Sequence, residues 1–131
     1  MRRKILTSMG LLVGLLVIGS QVSAHHGSRI SYDMTKTVTM QGVVTEFDWQ
    51  NPHVFFLYDV TDDKGNVTHW AAETNPPSGM VHDGWNKNYL KPGDKVTVSV
   101  WQAKTGAPRG FLAKLITPDG KVTEEQGGPP E

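Results

Sequence analysis

Two adjacent histidines, His25 and His26, follow directly on Val22-Ser23-Ala24. Small residues at that junction suit a signal peptidase. Arg2, Arg3 and Lys4 ahead of a mostly apolar stretch at residues 5–19 complete the pattern of a secretory signal. Cleavage after Ala24 would make His25 the first residue of the mature chain. Its free α-amine has a reference pKa of about 7.7–8.0 and imidazole one of about 6.5, so both can shed protons near neutrality. Amine and imidazole then close a chelate ring, with a second imidazole on His26. The plainer reading is that these are the exposed first residues of an arm.

Three further residues are candidates to join them: His53, His82 and Met80. With a hairpin turn near Lys64, Phe56 is predicted to face Ala72, and Val54 to face Thr74. That places His53 at the barrel end where the third strand runs into the loop carrying Met80, His82 and Asp83. His69 falls near the opposite end, beside Asp59. The arm of about 12 residues reaches near 40 Å at about 3.3–3.6 Å per residue, so it can fold back to either end. The histidines also have bland roles: His53 as the cap of an Asn51-Pro52-His53 turn, and His82 and His69 as solvated residues.

The chain has no cysteine. Thiol redox chemistry and cysteine-ligated metal or haem are excluded. A site of His, Met, carboxylates and the N-terminus suits copper best, and nickel or zinc less well. Without disulfides, an exported domain must rest on its hydrophobic core. Three of the 13 basic side chains lie in the signal, which leaves 10 against 13 acidic ones and a formal charge of −3. No basic stripe remains, so nucleic acid is not an expected partner. The apolar segment is short and interrupted by Gly and Ser, so no stable membrane insertion is expected after cleavage. There is no Gly-x-Ser-x-Gly, phosphate loop or dinucleotide fingerprint.

These residues have to be positioned by strands. Residues 1–24 read as the signal, 25–36 as an extended arm, 37–123 as one β-domain and 124–131 as a disordered acidic Gly/Pro-rich tail. Val38, Met40, Val43, Val44, Phe47 and Trp49 form a first strand whose alternation changes phase around Gly42, which predicts a bulge or bend there. Residues 54–60 are nearly continuous apolar, as for a strand covered on both faces, and 67–73 return after a turn at 62–66. Residues 75–85 hold at most a short helix between Pro76-Pro77 and Gly84. Strands at 95–101 and 111–117 follow, with a short edge pairing at Val122. The four tryptophans read mainly as core and rim, with a stacking surface as the alternative. Three meandering strands, a helical connection, then two strands predict an all-β, five-stranded OB-fold-like Greek-key barrel; a small open sandwich is the runner-up.

Several stretches resemble one family: His25-His26-Gly27-Ser28, Tyr32-Asp33, the run from Gly42 to His53, Trp70, Gly84-Trp85, and Leu90-Lys91-Pro92-Gly93-Asp94. They look like an uncharacterised family of small exported bacterial proteins, a domain of unknown function with His-His after the cut and an Asn-Pro-His turn. The resemblance covers essentially the whole mature domain. It implies export and an OB-like barrel, and it supplies no activity. The chain departs from the pattern after strand three, at Asn75-Pro76-Pro77 and His82.

The expectation is therefore a binding module rather than an enzyme, periplasmic or secreted from a Gram-negative bacterium. It captures or buffers a divalent metal through His25 and His26, with His53 the best third ligand and His82 and Met80 further candidates. The alternative is a metal-free OB-type adaptor for a periplasmic protein or envelope ligand. A small copper oxygenase stands a distant third.

Overall fold

The computed structural model describes residues 31–129. The expected signal segment, His25 and His26 lie outside them. The strands are β1 (Val38–Asp48), β2 (Phe55–Thr61), β3 (Val67–Glu73), β4 (Lys95–Gln102), β5 (Arg109–Ile116) and β6 (Val122–Glu124), with helix α1 (Pro77–His82) between β3 and β4. Neighbours run β3-β2-β1-β4-β5-β6, and an added β3–β5 pairing closes five of them into a barrel. That closure is parallel and short, Ala71 opposite Arg109 through Glu73 opposite Phe111. The other ladders are antiparallel. This is the expected OB-type barrel, with its helical connection in the expected place.

β1 is long because it serves two neighbours. Val38 to Val43 pair with β4, and Val43 to Asp48 with β2. The expected irregularity exists but is displaced: the register slips between Val44 and Glu46, not at Gly42. Gly42 has a different job. A Cβ there would lie 2.8 Å from the Tyr58 ring and 2.9 Å from the Asp59 carbonyl oxygen. A side chain is excluded where β2 crosses closely, and one residue later in the chain β1 changes partner.

Strand alternation sends Phe56, Tyr58 and Ala72 inward, where they meet Val44, Val98, Val100, Leu112 and Leu115 in one core. The outward Phe55 and Leu57 are only half-buried, so β2 is covered on one face rather than two. Pro77 opens α1 and Gly84, at φ +81°, follows its end, as the flanking residues predict. Met80 and Trp85 cap the core beneath the helix. None of the four tryptophans is exposed; Trp85 is buried and Trp49, Trp70 and Trp101 are half-buried at the core margins.

Both ends of the described chain are tied down. Tyr32 bridges to Ala103, the Asp33 N–H donates to Gln102 O at 2.8 Å, and Tyr32 packs on Phe111. At the other end Glu124 completes β6, and the Glu125 N–H donates to Ala113 O at 2.9 Å. The disorder expected from Glu124 onward does not describe these two residues.

Glu125 is a point of electrostatic tension. Its Oε2 accepts from Asn75 Nδ2 at 2.7 Å, while Oε1 is buried with no donor among the described residues. Burial, and then the charge of Asp83, push its carboxyl above the ordinary glutamate range against the opposing Asn75 bond. A raised folded pKa favours folding at low pH, and that contribution is lost as pH rises through it. Glu125→Gln removes the charge while keeping the shape. Its melting temperature at neutral pH is expected to exceed wild type by a few degrees, about 1 kcal/mol, with the gain vanishing in acid. Thermal melts of both proteins across pH check this; a Glu125→Gln variant less stable at neutral pH than wild type would overturn it.

Candidate functional site

The β2–β3 hairpin builds the site through its register. Phe55 lies opposite Glu73, Leu57 opposite Ala71 and Asp59 opposite His69, one outward-facing stripe of alternate residues. Asp62 fixes the turn by accepting the N–H groups of Lys64 at 2.8 Å and Asn66 at 2.9 Å. Beyond β3, the Thr74 N–H donates to Val54 O at 2.8 Å, and the Val54 N–H to Asn75 O at 3.2 Å. The predicted pairing of Phe56 with Ala72 is the observed one, while Val54 and Thr74 lie just beyond the ladder, joined by the Thr74 N–H to the Val54 carbonyl.

His53 follows a cis Asn51–Pro52 bond, immediately ahead of this pairing. Its Nδ1 lies 2.8 Å from the Thr74 carbonyl oxygen. A carbonyl only accepts, so Nδ1 carries the proton and Nε2 holds the free lone pair of the neutral ring. Backbone-anchored Nδ1–H is the arrangement that orients a histidine for metal ligation through Nε2. It is equally the arrangement of a turn-capping histidine.

Glu73 completes a short polar chain. Its Oε1 lies 3.5 Å from His53 Nδ1, beyond good hydrogen-bond distance, while Oε2 accepts from the Tyr32 hydroxyl at 2.6 Å. Burial first, then the Glu73 hydrogen bond and charge, push the Tyr32 phenol upward, so it remains a protonated donor. Tyr32, His53 and Glu73 share a hollow of about 290 Å³ with Pro52 and Phe55, with Arg109 at its margin. The arrangement offers one imidazole lone pair, one carboxylate already engaged, and an apolar floor.

The remaining candidates go elsewhere. Met80 is fully buried in the apolar core, and His82 is exposed on the last turn of α1. Two residues along a helix are rotated about 200°, so turning Met80 into the core turns His82 out. The neighbourhood expected for His53, Met80 and His82 is thus divided between hollow, core and surface. His69 is where the register put it, with Nδ1 2.6 Å from Asp59 Oδ1. Among the described residues, no three or more of His, Cys, Asp and Glu cluster to hold a metal.

The sequence candidates did not include Tyr32, Glu73 or Arg109, which line the hollow. A signal for Glu73 was present. The hairpin register that places Val54 by Thr74 brings Glu73 next to His53. Tyr32 had none, because its docking depends on the far end of β4.

With this geometry in view, residues 13–113 match the model of a family described as a family of unknown function, DUF6152. No curated protein matches the sequence.

Proposed function

The chain belongs to this family of unknown function, and we propose its role from the site itself: an exported binding module that captures or buffers a divalent metal, copper in preference to zinc or nickel. The ligands are the α-amine and imidazole of His25, the imidazole of His26 and Nε2 of His53, after processing behind Ala24 in a periplasmic or secreted setting. Nitrogen donors of this kind favour copper(II) in the divalent series.

The observation that carries this reading is the docking of Tyr32 on the wall of the hollow that His53 lines. His26 is six residues from Tyr32, a chain span of at most about 20 Å. The sequence left open which end of the barrel the arm serves; its root at Tyr32 supports the His53 end. The free lone pair on Nε2 supports His53 as the third ligand. A metal-free adaptor is the second reading, favoured by the apolar floor of the same hollow.

The test is copper(II) titration by calorimetry and electron paramagnetic resonance. Protein beginning at His25 is compared with the same protein carrying one extra N-terminal Gly, and with His53→Ala. The expected result is tight one-to-one binding with nitrogen coupling, lost in the extended protein. His53→Ala is expected to weaken binding by about 10–100-fold, as removal of metal-site partners does. Weak binding, equal in all three, removes the metal reading and leaves the adaptor.

A further inference from the structure

A second hollow, of about 300 Å³, lies farther along the outward stripe of the hairpin, and the metal reading does not use it. Its apolar walls are Leu57 of β2, Trp70 of β3, and Ala107 and Pro108 ahead of β5. At its rim Asp59 is satisfied by His69 Nδ1 at 2.6 Å. Arg109 also lines it, exposed and without an ion pair among the described residues. Arg109 stands at the first residue of β5, where pairing with Ala71 fixes its backbone. The cation is therefore presented from a rigid strand rather than from a loop.

We infer that this hollow binds a small organic carboxylate with a planar apolar body. The pairing pattern selects an anion, since the one acid of the rim already accepts a hydrogen bond from His69 while the guanidinium has no ion-pair partner among the described residues. Arg matches a carboxylate with two parallel N–H donors. The walls select an apolar body: a bare inorganic anion would leave Leu57, Trp70 and Pro108 uncovered. A neutral apolar ligand would cover Arg109 without giving it an acceptor, which is costly. The volume lies at the small end for ligand pockets and suits one ring with its acid group.

The experiment is an amide and indole NMR titration of the purified protein with phenylacetate, in chelator so that no metal takes part. Its outcome is independent of the copper result. Phenylacetate is expected to give saturable shifts at Ala71, Ala107, Arg109 and the Trp70 indole. Phenylacetamide, which has the same ring without the charge, is expected to bind at least about tenfold more weakly. Arg109→Gln should lose phenylacetate binding by a similar factor, with its spectrum otherwise unchanged because Arg109 is exposed. No saturable shift, equal binding of acid and amide, or wild-type affinity in Arg109→Gln would each overturn the assignment.

Discussion

Trp85→Ala is expected to destabilise the protein by about 3–5 kcal/mol, a large part of the total stability of a domain this size. Trp85 is only 2% exposed and lies at the centre of the closure beneath the barrel. Its ring stacks on Tyr89 at 4.4 Å between centroids and meets Phe47 at 6.1 Å. Its Nε1–H donates to Thr123 Oγ1 at 3.0 Å, a hydroxyl that is itself buried. Truncation leaves a cavity, strips two aromatic partners and removes the donor to Thr123, so the costs accumulate at one point. Trp85→Phe keeps most of the ring contact and is expected to lose about half as much. Urea denaturation checks both, with a lower midpoint at unchanged slope as the expected signature. A loss below about 1 kcal/mol for Trp85→Ala would show that the closure repacks without it.

The second large effect needs only one methyl group. Gly110→Ala is expected to cost about 3 kcal/mol, because the added carbon meets a backbone carbonyl and the stiff, β-branched Val100 rather than the far end of a flexible side chain. It would lie 2.6 Å from the Trp101 carbonyl oxygen and 2.6 Å from Val100 Cβ. Both belong to β4, which pairs with β5 here, Gln102 opposite Gly110. Gly110 also faces Ala72 in the parallel closure, so moving β5 off β4 disturbs β3 as well. Gly79→Ala is the matched control. Its new carbon would find only Asn75 Cβ, at 3.4 Å, and alanine is the better helix former within α1. Parallel thermal melts should show a large drop for the first and little change or a gain for the second. If both glycines tolerate alanine alike, the close approach at Gly110 is not limiting.

The fold was legible because its signals are local. Alternation in residues 95–101, the Asp62-to-Asn66 turn and the prolines at the start of α1 each report on neighbours close in sequence. Counting back from that turn was enough to place His69 beside Asp59 and His53 at the other end. What escaped depended on distant segments. The bulge fell at Thr45 rather than Gly42 because the crowding at Gly42 comes from Tyr58 and Asp59, which only the folded barrel brings near. Tyr32 joined the site through a bridge to Ala103, seventy-one positions away by number. Met80 and His82 parted because helical phase, not loop proximity, decides which side chain enters the core. Composition spoke clearly only in the negative, since a chain without cysteine has no thiol chemistry.

The parallel ladder that closes the barrel spans three residue pairs, and two of its members, Ala71 and Arg109, line both hollows. Occupancy and folding are therefore linked at one seam. Any ligand that grips Arg109 also grips the join between β3 and β5, and its binding free energy is added to the cost of parting them. The same linkage runs in reverse. Opening of this shortest closing ladder dissolves both hollows together, so the barrel's local breathing sets a ceiling on how long either can hold its guest.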